Sequence, residues 1–97
     1  MSYFPPKKTK SVITIYSLLA TDENINTSST TAFALTLYLA TGTGREHIIT
    51  NTNTGIVTLT CAGSDIFNIT GVTTVPLNQG ESVHISDVAS GIWFVTA

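Results

Sequence analysis

The apolar positions of the chain recur in short runs of β-branched and aromatic residues, and none of the runs keeps helical spacing. Isoleucine, valine and threonine dominate them, side chains that suit a pleated surface. The pattern predicts an all-β fold with strands over 11–19, 32–40, 46–51, 56–61, 65–70, 73–77, 81–86 and 92–96. Glycines between these runs, such as Gly42, Gly55 and Gly80, mark the turns. The expected architecture is one β domain over 11–97, a small antiparallel sandwich or barrel-like unit. Two stretches break the pattern. Residues 1–10, MSYFPPKKTK, join a Pro-Pro pair to three of the four basic residues and predict an extended N-terminal arm. Residues 22–31, DENINTSSTT, hold one apolar residue and predict a polar loop or linker.

A strand with one wet face should alternate apolar and polar residues. Several here do not. In the run 92–96, Ile92 and Phe94 are expected to fill the core of one chain, leaving Trp93 and Val95 to a second subunit. The adjacent pairs Ile48-Ile49 and Ile66-Phe67 raise the same demand, which adds Ile49 and Phe67 to the expected subunit interface. A chain of 97 residues has little material to cover two dry faces alone. Self-association in a closed ring, as a homotrimer, would turn the second face into an intersubunit core.

Composition sharpens this picture. Apolar residues make up 42% of the chain but charged residues only 10%, against about 25% in ordinary soluble proteins; threonine, serine and asparagine take their place. A net charge of -2 offers no footprint for gripping nucleic acid or an anionic membrane. The single cysteine, Cys61, leaves no internal disulfide and no cysteine zinc site. The segment 1–10 lacks the apolar stretch of a secretory signal, so synthesis and folding in a cytosol are expected. The most continuous apolar run, 32–40, is far below the ~20 residues of a membrane helix.

Candidate chemistry is sparse. His84 lies near Ser86 and Asp87, but neighbours on a strand alternate faces and no glycine-flanked serine elbow is present. His47 beside Glu46 is one metal-ligand pair, too few for a site. The carboxylates Asp22, Glu23, Glu46, Asp65, Glu81 and Asp87 fall mostly at strand ends and turns, where acids solubilise loops. Asn26-Thr27-Ser28 and Asn68-Ile69-Thr70 match the glycosylation pattern, which has no use without a secretory route. The expectation is a protein that is not an enzyme and binds no cofactor or metal.

From Gly44 onward, GREHIITNTNTGIVTLTCAGSDI (44–66) and VPLNQGESVHISDVASGIWFV (75–95) resemble a β-rich unit of tailed-bacteriophage fibre, spike and head-surface decoration proteins. The likeness rests on Gly44, Arg45, Glu46, Asn53, Thr54, Gly55, Asp65, Leu77, Gly80 to Val83, Ser86, Asp87 and Trp93, in order. It covers about half the chain. The run Asp87 to Gly91 is longer than the usual aspartate turn, and Phe67 to Thr70 is more apolar than its counterpart. The resemblance implies a homotrimeric structural unit with a hairpin at Asn53-Thr54-Gly55. The expected role is capsid decoration or a short head fibre on the virion surface. Its partners would be itself and the major capsid protein, with Tyr3, Phe4, Lys7, Lys8 and Lys10 of the arm as the attachment segment. The alternatives are a receptor-binding tip of a tail fibre or spike, contacting host surface polysaccharide, and a monomeric carbohydrate-binding module.

Overall fold

A computed structural model describes residues 9–68 and 72–96, and these form no helix. Ten strands occur among them. They are β1 (Thr9–Val12), β2 (Tyr16–Ser17), β3 (Asn24–Thr27), β4 (Phe33–Thr36), β5 (Arg45–Asn51), β6 (Val57–Thr60), β7 (Ile66–Phe67), β8 (Thr74–Leu77), β9 (Ser82–Ala89) and β10 (Ile92–Thr96). One sheet runs β1-β3-β5-β9-β10-β7 and the other β2-β4-β6-β8. The all-β class and the two sheets around one core follow the sequence pattern.

The expected antiparallel pairing is corrected. β1, β3 and β5 pair in parallel, as do β2, β4 and β6, and β7 runs parallel to β10. Only β5 with β9, β9 with β10, and β6 with β8 are antiparallel. The cause is the path of the chain. From β1 to β6 successive strands alternate between the sheets, so the chain winds around its core and each strand lies beside the one laid down a full turn earlier, pointing the same way. β8 and β9 then reverse direction and close the coil.

The expected loop at 22–31 is also corrected. Asn24–Thr27 is a strand hydrogen-bonded on both sides, with Lys10, Ile25 and Ile49 in register across three strands. Ile25 and Thr27 point into the core and are buried. One apolar residue suffices because the Thr27 hydroxyl donates to the buried Asn51 Oδ1 at 3.0 Å, removing the cost of its inward position. The run 11–19 divides into β1 and β2 where the chain crosses between sheets. Lys10 belongs to β1, whereas Tyr3, Phe4, Lys7 and Lys8 lie outside the described residues.

At one corner of the coil the crossings 28–32 and 52–56 stack on each other. Thr52 donates its backbone N–H and its hydroxyl to the Thr27 carbonyl, and Gly55 N–H donates to the Ser29 carbonyl at 2.9 Å. Asn51 Nδ2 donates to the carbonyls of Gly55 and Leu77, so its buried amide is used at both ends. The backbones approach so closely that a Cβ on Gly55 would lie 2.5 Å from the Thr31 carbonyl oxygen, which only glycine permits. Asn53-Thr54-Gly55, expected as a hairpin, is therefore a crossing from β5 in one sheet to β6 in the other.

Between the sheets, Leu35, Val57, Leu59 and Leu77 meet Ile25, Ile49, Phe67, Ile85 and Trp93, all essentially inaccessible to solvent. This places three of the four expected interface residues, Ile49, Phe67 and Trp93, in the core of a single chain. Val95 is half-buried and packs against the same core. The expected facing of β10 is reversed: Trp93 is 0% exposed, while Phe94 turns outward and is 42% exposed. Burial of Trp93 needs no second subunit, because the indole is the bulkiest filler of the space between the sheets and its N–H finds the Tyr38 carbonyl at 3.1 Å.

Candidate functional site

Asp87 lies on the inward side of β9, at the end where the chain leaves β4 and returns to β5. It is fully buried, and it recovers the cost through hydrogen bonds. Its Oδ1 accepts the backbone N–H groups of Thr41 and Gly42, and its Oδ2 accepts the Thr43 hydroxyl. Gly44 N–H adds a bond to the Asp87 carbonyl at 2.6 Å, and Gly42 and Gly44 supply the positive φ the loop requires. Asp65, also buried, accepts the Ala40 N–H at 2.8 Å and holds the start of the same loop. Both acids are internal braces with their oxygens turned inward.

Beside this loop sits a polar-aromatic cluster. His47, buried on β5, has Nδ1 2.8 Å from the Asp22 carbonyl and Nε2 2.6 Å from the Tyr38 hydroxyl. A carbonyl only accepts, which places the proton on Nδ1, so Nε2 accepts from the Tyr38 hydroxyl. Burial, reinforced by nearby Asp87 and opposed by Arg45, pushes the Tyr38 phenol up to about 12 and keeps it a donor. Tyr38 also meets Trp93 edge-to-face, with ring centroids 4.9 Å apart. This arrangement fixes the corner between sheets. His47 and Glu46, neighbours on one strand, point to opposite faces and do not meet at a metal.

The remaining candidates are dispersed. His84, outward on β9, pairs across the strands with Glu46. Ser86 shares its face, but Asp87 is turned inward, so the three residues form no relay. Lys10 Nζ donates to the Tyr16 hydroxyl at 3.0 Å, which in turn donates to Asp22 at 2.6 Å. Lys10 thus closes the open end of the first coil from a place in β1 rather than in an extended arm. Cys61 is buried, and burial aided by Asp65 pushes its thiol up to about 11, which keeps it an inert core group. Thr27 of the Asn26-Thr27-Ser28 sequence is buried, and its hydroxyl is committed to Asn51.

What the sequence did not disclose is how charge divides between the sheets. The strands β2, β4, β6 and β8 contain no charged residue and no histidine. The larger sheet carries Lys10, Arg45, Glu46, His47, His84 and Asp87. On the outer face of the smaller sheet, Ser17, Thr36, Thr60 and Thr74 lie in one register row across all four strands. Ile15 and Leu19, alternating with the core-facing Tyr16 and Leu18, flank the row at 72% and 52% exposure. The shortage of charge was legible in the composition. Its segregation was not, because the chain visits the two sheets alternately. No protein family matches the chain, and no curated protein or solved structure matches it either.

Proposed function

We propose that this chain is a structural virion protein of a tailed bacteriophage, a capsid-decoration or short head-fibre subunit that acts as a homotrimer without catalysis. The observation that carries this reading is the use made of the residues behind the resemblance. Gly44, Gly55, Asp65, Asp87 and Trp93 are all spent on the fold: two close the loop and the corner, two brace backbone N–H groups of the loop after β4, and one fills the core. Residues put to that use build a scaffold rather than line a reaction site. The stretches 44–66 and 75–95 supply most of β5, β6, β8, β9 and β10, the part that closes the coil. Two further parallel turns, β1 to β4, lengthen it. The chain belongs, in this reading, on the virion surface against the major capsid protein, with Tyr3, Phe4, Lys7 and Lys8 of the arm making the attachment.

Proteomics and imaging of purified virions test this. The chain is expected in a copy number commensurate with the major capsid protein, and particles lacking it would overturn the reading. Removal of residues 1–8 is expected to lower particle occupancy while the β body stays folded; equal occupancy would remove the arm from attachment. The receptor-tip alternative draws on Phe94, an exposed ring beside Ile92 and Ile66. In that case Phe94→Ala abolishes binding to host polysaccharide and leaves particle assembly intact.

A further inference from the structure

We infer that the uncharged outer face of the smaller sheet is the surface through which copies of this chain pack, each turning that face to a common axis. The inference rests on the homo-oligomeric part of the function proposed above and assigns it a surface other than Trp93 and its neighbours.

Isolated charges are the usual means by which a sheet exposed to water is kept from association. β2, β4, β6 and β8 have none, nor do the flanking Ile15, Leu19 and Ile56, which are 72%, 52% and 44% exposed. β8 carries Pro76 at its edge, which blocks strand addition there. β2 is an edge strand without a proline, and Lys10 and Asp22 meet at the hydroxyl of its Tyr16. Four strands spaced by about 4.8 Å present a broad face with aliphatic groups at its margin and hydroxyls through its middle.

The chemistry of the row identifies the occupant. A threonine hydroxyl both donates and accepts, so Ser17, Thr36, Thr60 and Thr74 can satisfy an identical row on another copy with no change of partner chemistry. A charged partner would bury its charges against a face that offers nothing to pair them, at a cost of several kcal/mol per ion. The second copy of this chain brings a face of the same size, also free of charge. The outer face of the larger sheet, by contrast, carries the charged Glu46–His84 pair beside the exposed Phe94 and Val88.

The test is sedimentation equilibrium on the full chain and on three variants. Thr60→Lys and Ser17→Lys each repeat one like charge around the axis. Thr96→Lys puts the same charge on the larger sheet. The first two are expected to raise the dissociation constant by about a hundredfold or more while circular dichroism and melting remain those of a folded chain. Thr96→Lys should leave it unchanged. Ser17 is exposed on an edge strand, so its variant folds even if Thr60→Lys does not. A folded Ser17→Lys chain that assembles as tightly as the original would overturn the inference, as would a chain that stays single at all concentrations. Virion content separates the two proposals. A chain present on particles but insensitive to Ser17→Lys refutes the surface alone, whereas one absent from particles but dissociated by Ser17→Lys refutes only the virion role.

Discussion

Single residues decide how this chain tolerates so many inward polar groups. Asp87, itself fully buried, accepts two backbone N–H groups and a hydroxyl from the exposed loop 41–43, so Asp87→Ala should cost about 3 kcal/mol in urea unfolding, since a hydrogen bond to a charged group contributes about 1.5–3 kcal/mol. Gly55→Ala should cost a similar amount, about 3 kcal/mol, because its methyl would overlap the Thr31 carbonyl and the stacked crossings must part. Trp93→Ala is expected to remove about 4 kcal/mol from the folding of each chain. Trp93 emission should accordingly be blue-shifted and poorly quenched both before and after dissociation, and shift red only on unfolding. A red shift on dissociation alone would place the indole between subunits.

Proton binding gives a second check at this scale. Cys61 rises from an ordinary value of 9.0 to about 11 and Tyr38 from 10.0 to about 12, so each holds its proton more tightly in the folded chain. Stability from both is complete below pH 9 and is lost as pH rises through 11 and then 12. Chemical unfolding across that window should show the loss. Cys61→Ala is expected to remove its earlier part and Tyr38→Phe its later part; an unchanged alkaline profile in Tyr38→Phe would contradict the donor role given to the phenol.

At the level of elements, alternation located most strands to within a few residues. It failed at β3 because the cue was hydrophobicity, and Asn-Ile-Asn-Thr has one apolar residue. The missed signal was a repeat. Asn24 lies beside Ile48 and Phe33 beside Val57, a constant offset of 24 positions. The same offset aligns Ile25 with Ile49, Thr30 with Thr54 and Leu35 with Leu59. Parallel stacking follows from such an offset, whereas turn residues alone suggested hairpins. Trp93 and Phe94 were assigned to the wrong faces because both are apolar, and periodicity cannot say which of two dry faces is the core. Hydrogen exchange provides the check on β3. Amides of Asn24–Thr27 should exchange as slowly as those of β5, since β3 is bonded on both flanks. Exchange at the rate of an open loop would contradict its place in the sheet.

For the whole molecule, the division of charge matters more than its net value. The sequence showed that charge was scarce, but the sheet without charge exists only once the winding of the chain is known. Association through such a face should be nearly indifferent to salt. Shortening the Debye length from about 30 Å to about 3 Å is expected to shift the dissociation constant less than twofold, whereas association through Glu46 and His84 would weaken clearly. The most direct measurement is the mass of the unmodified chain by light scattering at micromolar concentration. Three times the 10.3 kDa chain mass is the result expected of a scaffold that packs against its own copies. A mass of one chain, unchanged on concentration, would contradict it.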